Sequence, residues 1–143
     1  MASCGNGVPL GAFVSAGQDN EAPHFEDVLE SVVLPYAWTK PRFRPEKLAG
    51  DKAYSAGWIR ERLARLGILA VIPKRLDERL RSGDLPFDRK AYRRRNVIER
   101  CVGWLKECRR VATRFEKLAL NYLAMVKLAM IHRCLRILFS YGT

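Results

Sequence analysis

A chain of 143 residues with 48% apolar content is long enough for one ordinary domain, or a piece of one, with a core of its own. Lys and Arg outnumber Asp and Glu by 26 to 15, a net charge of +11, which favours a polyanionic partner such as nucleic acid or an anionic membrane surface over a neutral or cationic one. Four cysteines (Cys4, Cys101, Cys108, Cys134) form no CxxC and keep no ligand spacing with His24 or His132, so neither a zinc site nor a disulfide framework is signalled.

The N-terminal run MASCGNGVPLG has no basic segment leading into an apolar one, so no secretion signal is expected. Val8 to Ala16 reads as a short strand after a Gly-Asn-Gly turn, and an acidic amphipathic helix is predicted from about Pro23 to Val33. Pro35 to Pro45 alternates basic and aromatic residues between prolines, which suits either an extended loop along a phosphate backbone or a solvated connector. Lys47 to Gly50 leads to Asp51, followed by a helix from about Ser55 to Leu66 that ends at Gly67 and sets Trp58, Ile59, Leu63 and Leu66 on one face. The apolar run Ile68 to Ile72, closed by Pro73, has the mark of a buried parallel strand, giving a strand-helix-strand unit.

From Lys74 to Asp88 the residues are polar and charged, with a Ser-Gly-Asp turn, and a loop or short helix is expected. Two long helices follow, roughly Arg89 to Arg109 and Lys117 to Phe139, the second carrying Leu120, Leu123, Val126 and Met130 at three- and four-residue steps as core or partner surface. Lys127, His132, Arg133 and Arg136 interrupt its apolar stretch, which is wrong for a membrane span, so a soluble, cytoplasmic protein is expected.

Between Arg89 and Lys117 stand eleven Lys and Arg against Glu99, Glu107 and Glu116, so this segment carries +8 of the total +11. With Tyr92 and Trp104 embedded in it, the segment reads as a phosphate-binding face or, more plainly, as a solvated helix face. Glu99 lies four residues after Arg95 and seven before Lys106, one side of a continuous helix. An Arg95–Glu99 ion pair within that helix would account for it. The alternative is a metal ligand among DNA-contacting cations, with Asp51 as a second carboxylate from a strand end, since magnesium takes one or two carboxylates plus phosphate oxygens.

At these residues the chain resembles the DDE transposases of the fifth insertion-sequence family. The most specific part is the signature Tyr-x2-Arg-x3-Glu-x6-Lys, matched by Tyr92, Arg95, Glu99 and Lys106 with every interval correct. Leu48-Ala-Gly-Asp51-Lys-Ala-Tyr54 is similar to the family's second-aspartate motif, and Val71 to Arg75 and Arg109 to Arg114 resemble further blocks. The resemblance implies an α/β, ribonuclease-H-like domain in which two aspartates and a glutamate hold two Mg2+ (or Mn2+) ions, while water and then a DNA 3′-hydroxyl attack a phosphodiester. It implies Asp51 and Glu99 as catalytic, metal-holding acids, and Tyr92, Arg95 and Lys106 as DNA-positioning residues. With them, Arg93, Arg94, Arg100, Arg109 and Arg110 are expected to touch DNA.

The family's first aspartate precedes a Gly-x-Pro-Leu segment, here Gly7-Val8-Pro9-Leu10, and neither Asp19 nor Asp27 matches its motif. The expectation is therefore the C-terminal part of a catalytic domain spanning residues 1–143, incomplete at its N-terminus and ending in long basic and apolar helices, whose activity alone is doubtful. An apolar face left uncovered would favour self-association or pairing with an upstream transposase fragment. The alternative is a basic DNA-binding regulator that competes or co-assembles with intact transposase at insertion-sequence ends and target. A ribosomal or structural RNA-binding protein would share the charge without the spacing around Glu99.

Overall fold

A tight turn opens the chain: Gly7, with φ of +80°, lets the N–H of Gly7 bond the Cys4 carbonyl at 3.0 Å, and Cys4 donates to Val8 at 2.9 Å. The turn pairs β1 (Ala2–Ser3) antiparallel with β2 (Pro9–Gly11). The strand expected over Val8 to Ala16 is thus only three residues long. Its ladder stops where the two-residue β1 runs out.

The computed structural model describes residues 1–32, 44–82 and 87–140. The basic, aromatic stretch read between Pro35 and Phe43 and most of the Ser-Gly-Asp turn lie outside them. The chain divides into two compact units, one of Met1–Asp19, Glu26–Val33 and Asn96–Thr143, the other of Asn20–Phe25 and Leu34–Arg95. The expected acidic helix is shorter than Pro23 to Val33: a 3-10 turn, Ala22–His24, runs into α1 (Phe25–Glu30). Ser31 ends it by turning its hydroxyl back to the Val28 carbonyl at 2.7 Å.

The second unit contains the strand-helix-strand unit read from the sequence. β3 (Lys47–Ala49) pairs in parallel with β4 (Leu69–Val71), Leu48 opposite Ala70, with α2 (Gly57–Arg65) between them in the chain. Helix α2 starts two residues later than expected because Ser55 is committed elsewhere: it is buried, gives its hydroxyl to Glu78 at 2.5 Å and accepts from Arg60 at 3.2 Å. Gly67, with φ of +69°, closes the helix as its sequence predicts, the Ile68 N–H reaching the Leu63 carbonyl at 2.9 Å. Ile59 and Leu63 are fully buried beside Ile68, Val71 and Ile72, whereas Trp58, expected on the same face, is 44% exposed. Positions 58 and 59 are about 100° apart on a helix, so one narrow sheet cannot cover both. Leu69, expected to be buried, is 56% exposed because a two-stranded parallel sheet lacks the full cover that larger parallel sheets receive. A short helix, α3 (Leu76–Ser82), fills the polar stretch after Pro73.

The long basic helix expected over Arg89 to Arg109 is three pieces: α4 (Arg89–Arg94), α5 (Val97–Lys106) and α6 (Arg109–Ala112). At the first break Arg95 bonds back three residues, to Tyr92 at 3.0 Å. At the second, Glu107 and Cys108 do the same, and extended Cys108 stops the helix. The second break lets Leu105 and Val111 enter one core with Ala12, Val126, Ala129 and Met130. Helix α7 (Ala119–Ser140) matches its sequence reading closely in extent. Its expected stripe is buried only at Val126 and Met130; Leu120 is exposed, because the side chains packed opposite come from β2, α5 and α6 and reach the middle of the helix. Leu128, Ile131, Leu135 and Leu138 stand exposed on α7. At the level of class the structure is mixed α/β, with two separate two-stranded sheets among the described residues.

Candidate functional site

Asp51 sits just past the C-terminal end of β3, a position reached because the Gly50 N–H continues the parallel ladder to the Val71 carbonyl at 3.3 Å. The space at Gly50 is tight: a Cβ would stand 3.3 Å from Ile72 and 3.5 Å from Tyr54. The Asp51 carboxylate is partly buried, and its Oδ1 accepts the Ala53 N–H at 2.9 Å, which caps the 3-10 turn Lys52–Tyr54 and fixes the side chain. Tyr54 closes that turn. Burial, then the charge of Glu21 and a hydrogen bond to it, and lastly Asp51, push its phenol up to about 12.

The same unit carries α4. Asp88 caps it, accepting the Ala91 N–H at 2.8 Å, and is held from the side by Lys47 Nζ at 2.8 Å. The Lys47 hydrogen bond, with that backbone bond, holds the Asp88 carboxyl below the usual carboxylate range. Lys47 belongs to β3, so this pair ties the strand that leads to Asp51 to the start of the basic helix. On α4 the ring of Tyr92 packs against Phe87 at 5.3 Å between centroids and carries the Arg95 guanidinium at 5.6 Å. Arg93 and Arg94 are exposed, and with Arg89 and Lys90 they line an open depression of about 640 Å3. A concave surface lined by four cations suits phosphates.

Glu99 lies in the other unit, exposed in the first turn of α5, where a negative charge also complements the helix dipole. Lys106 is exposed seven residues further along α5, on the same side of the helix, and Arg100 is exposed beside Glu99. Because α4 ends before Arg95 and α5 begins after Asn96, Arg95 is not part of the helix that carries Glu99 and Lys106. The expectation of three residues on one continuous helix is corrected accordingly. On α6, Arg109 and Arg110 are exposed; Arg110 also pairs with Glu116 at 3.5 Å and lies over Phe115.

Asp51, Tyr92 and Arg95 therefore belong to one unit, and Glu99, Arg100, Lys106, Arg109 and Arg110 to the other. Cys101 is fully buried, and burial pushes its thiol up, so it serves as a core side chain. Sequence reasoning missed Lys47 and Asp88. Their only signal was Asp88 as an N-cap before a basic run. It also missed Arg133, which stacks on Trp104 at 3.5 Å; its place within an apolar helix was the available sign.

Among the described residues no group of three or more His, Cys, Asp or Glu gathers to hold a metal ion, and none of their helices is long and apolar enough to cross a membrane. In comparison with known families, the model for the transposase DDE domain matches residues 2–134. No match was found among curated proteins or solved structures.

Proposed function

Since the chain belongs to the transposase DDE-domain family, we propose that it is an insertion-sequence transposase polypeptide of the fifth-family type, built on a ribonuclease-H-like frame and acting on phosphodiesters at element ends and target DNA. The observation that carries this reading is the Tyr92, Arg95, Glu99, Lys106 spacing, set within a segment of net charge +8. It is supported by Asp51 at the C-terminal end of a parallel strand, where α/β sheets hold their ligands. Action on chromosomal DNA assigns it to the cytoplasm.

In this reading Asp51 and Glu99 hold magnesium or manganese. Their hard oxygen donors suit such ions, which take one or two carboxylates and leave the remaining positions to phosphate oxygens and water. When bound, the metal supplies Lewis acidity at the scissile phosphodiester. The side chains of the chain do the rest. Arg93, Arg94 and Arg95 on and after α4, with Arg100, Lys106, Arg109 and Arg110 on α5 and α6, bind the DNA backbone, and Tyr92 steadies Arg95. Exposed Leu128, Ile131, Leu135 and Leu138 favour association with a second copy or with an upstream transposase fragment.

Two carboxylates leave a two-metal centre underligated, so the chain alone is expected to bind a labelled insertion-sequence end without nicking it. Adding a fragment that carries the family's first aspartate should restore nicking, and Glu99→Ala should abolish it again. Robust nicking by the chain alone, lost in Glu99→Ala, would mean that another group supplies the third ligand. Mn2+ binding followed by electron paramagnetic resonance on the protein–DNA complex gives a second readout. Asp51→Asn and Glu99→Gln should each weaken it while DNA affinity persists; unchanged Mn2+ binding in both would sink the assignment of these acids. A regulator that only occupies DNA is favoured instead if the mixture binds yet never cleaves.

A further inference from the structure

We propose that Trp104, His132, Arg133 and Arg136 form a phosphate-binding pocket on the unit that carries Glu99, and that its ligand is a backbone phosphodiester of a DNA strand. The proposal draws on the DNA-processing reading above for the source of the phosphate, not for the pocket itself. The pocket lies between the end of α5 and the middle of α7, with a volume of about 200 Å3. The Arg133 guanidinium carbon stands 3.5 Å from the centroid of the Trp104 ring. Stacking of this kind satisfies the face of the guanidinium and leaves its N–H edge to seek acceptors.

That edge is incompletely satisfied. Arg133 Nε is buried and has no hydrogen-bond partner among the described residues. Buried donors in native proteins nearly always find an acceptor, so a buried guanidinium N–H without one beside a cavity points to an acceptor that arrives from outside. The charge in the cavity favours an anion. Arg136 is already partnered, 3.8 Å from Glu107, and that pair leaves Arg133 as the excess charge. A planar fork of donors on a rigid aromatic platform matches phosphate oxygens better than a spherical halide. Past Cys108, which also lines the pocket, Arg109 and Arg110 follow directly in the chain and are exposed, so the lining runs on into further cations. That continuity fits a strand of linked phosphates better than an isolated ion.

The test uses the full chain with Trp38→Phe and Trp58→Phe, which leaves Trp104 as the sole indole. Its fluorescence is followed at constant ionic strength during titration with inorganic phosphate and, separately, with a DNA oligonucleotide. Both should produce a saturable change, at far lower concentration for the oligonucleotide. Arg133→Gln should remove the phosphate response and lower the slope of log affinity against log salt by about one phosphate contact. Arg136→Gln, outside the stack, should weaken phosphate binding on the order of tenfold and guards against misreading a loss of folding in Arg133→Gln. A non-saturating response, or saturation unchanged in both variants, overturns the pocket. Saturable phosphate binding with an unaltered DNA salt slope overturns the strand as its ligand. Because these readouts need no cleavage, their failure is distinct from failure of the transposase reading.

Discussion

Tyr54 stands beside Asp51 with its phenol pushed up to about 12, first by burial and then by Glu21. A raised value means that the fold favours the protonated phenol. The stability it contributes is complete below the ordinary value of 10.0 and is lost as pH rises from there towards about 12. Ultraviolet titration should therefore reveal a late phenolate step that is absent in Tyr54→Phe, and Tyr54→Phe should flatten the decline in stability across that window. Glu21→Gln should move the step down only partway, since burial is the larger cause. Arg60 offers a second test at this scale: it donates to the Ile72 carbonyl at 2.9 Å and to buried Ser55 at 3.2 Å. Arg60→Met strands both acceptors and should cost about 1–3 kcal/mol in urea denaturation. No loss would mean that water or a neighbour replaces it. Asp51 was legible in the sequence as a strand-end carboxylate, because an apolar segment and a glycine precede it. Its use as a helix cap was not, since Asp-x-Ala carries no sign of which backbone amide the carboxylate will choose.

Two of the left-handed residues, those that follow helices, make opposite predictions. Gly67 has φ of +69° with nothing within 4 Å of a would-be Cβ, so Gly67→Ala should cost about 1–2 kcal/mol through backbone strain alone. Arg114 has φ of +47° after α6, where the Phe115 N–H reaches the Arg110 carbonyl at 3.3 Å, and Arg114→Gly should stabilise by up to about 1 kcal/mol. Denaturation midpoints decide both, and a destabilised Arg114→Gly would show that its contact with the Tyr122 ring outweighs the strain. Removing the cap of α4 with Asp88→Ala should fray that helix and lower DNA affinity severalfold on every sequence alike. A sequence-selective loss would argue against a purely positioning role. Helix α7 and the β3-α2-β4 unit were readable because long periodic runs and a Gly stop declare themselves locally. The first break falls beside Asn96, a weak helix former and its one local sign, while nothing around Cys108 forbids helix, and it is Leu105 and Val111 entering the same core that requires the second turn.

The charge of the molecule is concentrated between Arg89 and Lys117, a span that contributes cations to both units. Replacing Arg93, Arg94 and Arg95 together with Gln should flatten the salt dependence of DNA binding by up to about three phosphate contacts, and an unchanged slope would move the main interface elsewhere. Each unit also has its own buried side chains: Ile59, Leu63 and Ile72 in one, Leu105, Val126 and Met130 in the other. Unfolding followed by Trp58 and by Trp104, each as the sole indole, should give non-coincident transitions; superimposable curves would mean that the two units melt as one. The discontinuous unit has a further consequence during synthesis. Residues of β1 and β2 pack on α5 and α7, roughly a hundred residues later in the chain. At about 5–20 residues per second, the ribosome delivers those helices on the order of ten seconds after the hairpin has been made. The contiguous Leu34–Arg95 segment has most of its partners long before that. The discontinuous unit is thus the later of the two to complete, although its hairpin is made before either set of helices, and for that interval Met1 and Ala12 depend on chaperones or solvent for cover.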